Sequence, residues 1–214
     1  MFTETTFHVP GPAGQLEVRA TAQSLVPIVG IFCHPHPEQE GTLQNKVVST
    51  VVKAWFGLGV NTVRFNFRGV GESEGQYGGG IGEREDLEAV IAWAKAQHPG
   101  HALWLGGFSF GSGIAFQVAK KGEAEHLLMI APPVQNMDFE GAGQIPDKTD
   151  CALIEGGQDD VAPFALVKAW CDKSCLKRPM HFWTIPEAGH FFHGKLLELR
   201  DLVVAACPLI QQNE

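Results

Sequence analysis

The sequence lacks the features that mark nucleic-acid-binding, membrane-spanning and secreted proteins. Its 214 residues contain 16 Lys and Arg against 24 Asp and Glu, which gives a net charge of −8 at pH 7. This acidic balance predicts that neither nucleic acid nor an anionic membrane is a main partner. No apolar run reaches membrane-spanning length, and the N-terminal residues lack the basic region and apolar core of a signal peptide. We therefore expect neither membrane insertion nor secretion.

Metal-binding and disulfide patterns are also weak. The cysteines are odd in number and irregularly spaced: Cys33, Cys151, Cys171, Cys175 and Cys207. They predict a reduced, cytoplasmic protein without a disulfide framework. The closest approaches to metal-ligand spacing are Cys171 with Cys175 and His34 with His36. We interpret the cysteines as small buried side chains. Prolines interrupt the strand geometry that the histidine pair would need, so no metal site is predicted.

Phosphate-binding motifs are missing as well. The segment 69–73 begins like the dinucleotide fingerprint G-x-G-x-x-G, but Glu74 stands where the third glycine belongs. No Walker A sequence occurs anywhere in the chain. The sequence therefore predicts no nucleotide cofactor, and it implies no cofactor of another kind.

Apolar strand-like runs alternate with helical patterns along the chain. A hairpin is predicted over Phe2–Val9 and Gln15–Ala22. Strands are predicted over Pro27–Cys33, Val60–Phe67, 101–107, Glu125–Ala131, Cys151–Glu155 and Met180–Ile185. Helices are predicted over Asn45–Leu58, Glu83–Gln97, 110–121, Pro163–Cys175 and within Phe192–Cys207. The pattern indicates one α/β domain over residues 1–214, a mostly parallel sheet with helices on both faces. The segment Ala131–Cys151 is too short for a substantial lid.

A G-x-S-x-G motif surrounds Ser109. An apolar run precedes it and the helical run Ile114–Lys121 follows, which is the strand–turn–helix context of a nucleophile elbow. A second match surrounds Ser73, but glycines that cannot continue as a helix follow it. Ser109 is therefore the predicted nucleophile. The N–H of the next residue, Phe110, is the first predicted donor of an oxyanion hole.

The alternating elements and this elbow resemble the α/β-hydrolase superfamily, in which an acid and then a histidine follow the serine along the chain. The loop before Pro163 is similar to the acid loop of that family and assigns the acid to Asp159, with Asp160 as the alternative. Helix capping is an open role for both aspartates. A Gly-His step after the last strand resembles the histidine loop and assigns the base to His190, with His193 as its competitor.

The second oxyanion donor is expected from the loop Cys33–Glu38, which follows the third strand of the resembled fold. Pro35 and Pro37 have no N–H. That leaves the backbone of His36 as the predicted donor, with Glu38 as the alternative.

Four segments together indicate a narrower group than the superfamily: His34–Pro37, Gly41–Thr42, Asn45–Val48 and Arg64–Gly71. Over residues 25–200 the chain is similar to small lidless bacterial serine hydrolases. Many members of the wider α/β-hydrolase superfamily have Asp where Asn66 stands. We interpret Arg68 as structural, bonding loop carbonyls or an acid near the elbow. The resemblance implies hydrolysis of small carboxylic esters through an acyl-enzyme, without cofactor or metal.

Other functions stay open on the sequence alone. A thioesterase, or a peroxidase-like or lyase reaction, would use the same three residues, and a non-catalytic scaffold or binding protein would keep the fold. The sequence predicts neither the acyl nor the alcohol group of the substrate, and it leaves the oligomeric state undetermined.

Overall fold

The computed structural model describes residues 1–23, 25–141, 144–174 and 179–208. Cys175, one of the two cysteines considered as metal ligands, lies outside these ranges. Eight strands of the described residues form one sheet: β1 (Thr5–Gly11), β2 (Gly14–Ala20), β3 (Ile28–Cys33), β4 (Asn61–Phe65), β5 (Ala102–Phe108), β6 (His126–Ile130), β7 (Asp150–Gly156) and β8 (His181–Ile185). Their order across the sheet is β1-β2-β4-β3-β5-β6-β7-β8.

The sheet is parallel except at its first edge. Strands β1 and β2 form an antiparallel hairpin, and β2 pairs antiparallel with β4. The remaining neighbours, from β4 through β8, pair in parallel. This architecture confirms the predicted α/β-hydrolase fold with its N-terminal hairpin.

In the described ranges, five α-helices cover both faces of the sheet: α1 (Lys46–Gly57), α2 (Ile81–Gln97), α3 (Phe110–Ala119), α4 (Phe164–Lys173) and α5 (Leu196–Ala205). Side chains of α1 and α5 share one buried cluster with Trp104 and Phe108. Side chains of α2, α3 and α4 share the other with Leu103 and Leu105. Alternate residues of β5 thus enter opposite cores, which explains why this strand is apolar along its length instead of alternating with polar residues.

Most predicted boundaries agree with the structure to within a few residues. The largest difference is at the hairpin, where β1 begins at Thr5 and extends to Gly11. Pro10 lies within this strand and pairs in register with Gln15. An edge strand tolerates a proline because its outer N–H groups have no strand partner. The turn is therefore shorter than the glycines and prolines of residues 10–14 indicate, since β1 ends at Gly11 and β2 begins at Gly14.

Parallel strands bring the loops that follow them to one edge of the sheet. The loops after β3, β5, β7 and β8 meet at this edge. The described residues of the connection 131–149, between β6 and β7, contain no α-helix, so no helical lid arises there. Within the described ranges, none of the helices combines the length and apolar character needed to span a membrane.

Candidate active site

Ser109 occupies a strained turn between β5 and α3, with φ 53° and ψ −122°. Its N–H donates to the carbonyl of Ile130 at 2.8 Å. The chain folds back tightly, since a Cβ added at Gly107 would lie 2.2 Å from the carbonyl of Gly111. A Cβ at Gly111 would lie 2.5 Å from the carbonyl oxygen of His34. Both glycines of the motif are therefore needed for the backbone to close around the serine.

Three of the predicted site residues meet at the carboxyl edge of the sheet. Ser109 Oγ lies 3.0 Å from His190 Nε2, and His190 Nδ1 lies 2.7 Å from Asp159 Oδ2. All three residues are buried. Because the carboxylate accepts only, Nδ1 holds the imidazole proton, and Nε2 is left to accept the serine proton.

The structure does not bring the alternatives into this arrangement. Asp160 is exposed, and so is His193, which stacks on Phe191. Ser73 is buried, and its hydroxyl is bonded to the backbone of other residues. It donates to the carbonyl of Asn66 at 2.7 Å and accepts the N–H of Glu17 at 2.8 Å. Asp160 and His193 therefore face solvent, and the Ser73 hydroxyl has a structural role.

Asp159 also organises the loop that carries it. Its Oδ1 accepts the N–H groups of Val161 at 2.9 Å and Ala162 at 2.7 Å. Pro163 is the N-cap residue of α4, and this helix start has no side-chain capping hydrogen bond. Asp159 therefore bonds the turn ahead of α4 with one oxygen and His190 with the other, and neither Asp159 nor Asp160 caps the helix itself.

The predicted oxyanion donors line the same cavity as Ser109. Phe110 begins α3, and His36 caps a short 3₁₀ helix, Pro37–Gln39. In the described part of the chain neither N–H has a protein acceptor. The N–H of Glu38, the alternative donor, is occupied by His36 Nδ1 at 3.2 Å. Free N–H groups beside the nucleophile are what a developing oxyanion requires.

His34 holds this loop against the sheet instead of acting as a base or a metal ligand. Its Nδ1–H donates to the carbonyl of Pro35 at 2.6 Å, and its Nε2 accepts the N–H of Phe67 at 3.0 Å. Complete burial lowers the pKa of His34 to about 4, so the ring is neutral at pH 7. Among the described residues, no group of three His, Cys, Asp or Glu is arranged to hold a metal ion.

Tyr77, for which no role is predicted from the sequence, supports the second histidine of the loop. Because His36 Nδ1 accepts an N–H, its Nε2 holds the proton and donates to the Tyr77 hydroxyl at 3.2 Å. The two rings pack together at 5.0 Å, and that of His36 lies 4.9 Å from Phe110. The available signal was that this is the chain's single tyrosine, placed within a glycine-rich segment.

Arg68 and Asn66 make structural contacts below the site. Arg68 forms a buried ion pair with Asp86 of α2 at 2.7 Å, and hydrogen bonding to that carboxylate raises the pKa of Arg68. Asn66 donates from Nδ2 to Glu17 at 2.6 Å and accepts the N–H of Leu43 at 2.8 Å. An aspartate at position 66 would set two carboxylates against each other, which explains the amide in this chain.

A second acid, Glu155, lies beside Asp159 and was also missed. Glu155 is fully buried at the end of β7, where Oε1 accepts the N–H of Gly156 at 2.9 Å and Oε2 has no partner. Burial, together with the nearby Asp159, raises the pKa of Glu155 to about 10. Glu155 is therefore a neutral acid at pH 7, so the pair does not place two negative charges in one dry site.

A cavity of about 500 Å³ opens beside the nucleophile. Its walls come from the His36 loop, the start of α2, the first turns of α3, and the connection after β6. The lining mixes apolar side chains such as Ile114 and Met137 with polar ones such as Gln39, Gln117 and Arg84. A volume of this size suits a small organic substrate.

The sheet, the strained serine turn and the loops at its carboxyl edge define an α/β serine hydrolase. Residues 44–172 match the family described as serine aminopeptidase, S33, and the chain belongs to that family.

The chain is similar to other proteins over nearly its whole length. A serine hydrolase homologue from Coxiella burnetii is 44% identical with a TM-score of 0.87, covering 96% of this chain and 98% of that one. A serine hydrolase without a lid from Xanthomonas campestris is 34% identical, also with a TM-score of 0.87, over 95% and 93% of the chains. An uncharacterized protein from Rickettsia prowazekii is 32% identical, over 95% of this chain and 88% of its own.

Proposed function

We propose that the protein hydrolyses small carboxylic esters or thioesters through an acyl-enzyme intermediate. The observation that carries the proposal is the continuous relay from Ser109 Oγ to His190 Nε2 at 3.0 Å and from His190 Nδ1 to Asp159 Oδ2 at 2.7 Å. A serine hydroxyl is a weak nucleophile at neutral pH, and a base oriented in this way removes its proton as it attacks.

In the acylation half, Ser109 Oγ bonds to the carbonyl carbon while His190 Nε2 takes the hydroxyl proton. The carbonyl electron pair moves onto oxygen, where the N–H groups of Phe110 and His36 stabilise the negative charge. Collapse of this intermediate breaks the bond to the alcohol or thiol, which leaves with the proton from His190. Asp159 stabilises the imidazolium that exists between the two transfers.

In the deacylation half, water attacks the acyl carbon while His190 Nε2 takes one of its protons. The second intermediate collapses to the carboxylic acid, and the proton returns to Ser109 Oγ. No cofactor or metal enters either half. The absence of an α-helical lid in the described connection 131–149 leaves the cavity open to water and to varied small esters.

We further propose that the chain works as one domain in the cytoplasm on a small-molecule substrate. Cys33, Cys171 and Cys207 are free thiols, as in a reducing compartment.

A fluorophosphonate probe tests the proposal, because it bonds covalently to an activated serine. Labelling of the wild type that is lost in Ser109→Ala and kept in Ser73→Ala, with turnover of p-nitrophenyl acetate or its thioester counterpart, supports it. Absence of labelling would indicate a scaffold. Labelling without turnover of either compound would favour a peroxidase-like, lyase or peptidase reaction at the same serine. Both of these results overturn the esterase proposal.

A further inference from the structure

Arg84, on the first turn of α2, is exceptional among the arginines of this chain. Every other arginine that the structure describes forms an ion pair: Arg19 with Glu17, Arg64 with Glu4, Arg68 with Asp86 and Arg200 with Asp201. Arg84 has no carboxylate within 4.0 Å among the described residues, although the protein has a net charge of −8. A half-buried guanidinium without a counter-ion in an acidic protein needs an explanation.

The position of Arg84 links it to the proposed site. Arg84 and Ser109 line the same cavity of about 500 Å³. Arg84 Nε donates to the carbonyl of Gly80 at 3.2 Å. Gly80 in turn lies over α3, since a Cβ added there would be 3.9 Å from the side chains of both Phe110 and Ile114. The guanidinium is therefore anchored to the cavity wall next to the residue that follows the nucleophile.

Two acidic residues, a sequence neighbour of Arg84 and the carboxylate in the cavity lining, are already bonded to backbone N–H groups. The carboxylate of Glu83 accepts the N–H of Gly78 at 2.8 Å and that of Gly80 at 2.7 Å. Asp138 is the one carboxylate among the cavity's lining residues; it is exposed, and its Oδ1 accepts the N–H of Glu140 at 2.8 Å. In the described chain the two terminal nitrogens of Arg84 have no protein acceptor, so four N–H donors remain for a ligand.

We propose that Arg84 binds a carboxylate carried by the substrate, so that the preferred esters are anionic. This inference rests on the proposed esterase function and names its substrate class. A guanidinium with Nε anchored presents its remaining donors in a fixed plane, which matches the two oxygens of a carboxylate. Because Arg84 is half-buried, water competes less for these donors than it would at the open surface.

Two matched pairs of esters test the inference. The mono-p-nitrophenyl ester of adipic acid and p-nitrophenyl hexanoate share a six-carbon acyl chain and differ in the carboxylate. The second pair, 4-acetoxybenzoate and its methyl ester, places the same difference in the leaving group. We expect the wild type to prefer the anionic member of at least one pair by tenfold or more in kcat/KM. Arg84→Gln should reduce that preference about tenfold, mainly through KM, and Arg84→Lys should reduce it less.

Arg200→Gln is the matched control, because Arg200 is exposed on α5 and outside the cavity. It should leave the preference in each pair unchanged. The inference is overturned if both wild-type preferences are close to one, or if Arg84→Gln retains them. Failure of the proposed function has a different signature, since no ester is then turned over. In that case calorimetric titration with adipate tests carboxylate binding by Arg84 alone. Binding by the wild type that is lost in Arg84→Gln supports this part of the inference, and any other result overturns it.

Discussion

Asp159 holds His190 through a hydrogen bond of 2.7 Å between Oδ2 and Nδ1. Its other oxygen is fixed by the N–H groups of Val161 and Ala162. The carboxylate thus has no freedom to turn away from the imidazole. Asp160, the next residue, is exposed to solvent.

This difference predicts opposite outcomes for two neighbouring substitutions. Asp159→Asn places an amide where Nδ1 now donates, so the imidazole must change tautomer and Nε2 can no longer accept the proton of Ser109. We expect kcat for p-nitrophenyl acetate to fall by about 10³–10⁴. Asp160→Asn should stay within about twofold of wild type, as exposed substitutions usually do. Comparable losses in the two variants, at equal circular dichroism, would argue against the assignment of Asp159.

The elbow gives a second prediction, on stability. The atoms nearest to a Cβ added at Gly107 are the backbone carbonyl atoms of Gly111, 2.2 Å away. These atoms cannot move without opening the turn. Gly107→Ala should therefore destabilise the fold by more than about 3 kcal/mol or prevent accumulation of soluble protein.

The control for Gly107 is Gly57, the last residue of α1, where an added Cβ meets nothing within 4 Å. Gly57→Ala should be neutral or stabilising by up to about 1 kcal/mol, because alanine loses less backbone entropy on folding. Urea unfolding measures both variants. A Gly107→Ala protein as stable as Gly57→Ala would show that the elbow is looser than the structure indicates.

Much of the site is predictable because its signals are local in sequence. The glycines around Ser109 are dictated by the backbone of the turn itself. Asp159 and His190 each follow a predicted strand, and parallel strands deliver such residues to one edge of the sheet. The order of elements required no long-range information beyond the alternation of apolar runs with helical patterns.

The residues that were missed depend on distant partners. The sequence predicts no metal site at His34, but it does not indicate that His34 Nε2 accepts the N–H of Phe67, which is 33 positions away. In the sequence Glu155 is the last residue of a predicted strand, and only the fold shows that its carboxyl group is completely buried. Arg84 stands out only because no carboxylate among the described residues forms an ion pair with it. No local pattern reports what the fold places around a side chain, so burial and pairing require the three-dimensional structure.

Glu155 carries a third prediction, on pH dependence. The pKa of Glu155 is raised from its ordinary value of 4.5 to about 10 by burial and by Asp159. Between these pH values the folded chain keeps a proton that the unfolded chain has released. The stability associated with Glu155 is therefore complete below about pH 4.5 and declines as the pH rises toward 10, by up to about 1.4 kcal/mol per pH unit.

Glu155→Gln isolates this contribution, since an amide does not ionise in either state and keeps an oxygen to accept the N–H of Gly156. We expect the variant to be more stable than wild type at pH 9, with the difference shrinking toward pH 5. Urea unfolding of both proteins at pH 5, 7 and 9 measures it. If the two stability curves run parallel across this range, Glu155 is ionised in the folded protein. Asp159 would then share its loop with a second negative charge, and Glu155→Gln should alter the pH dependence of kcat/KM as well.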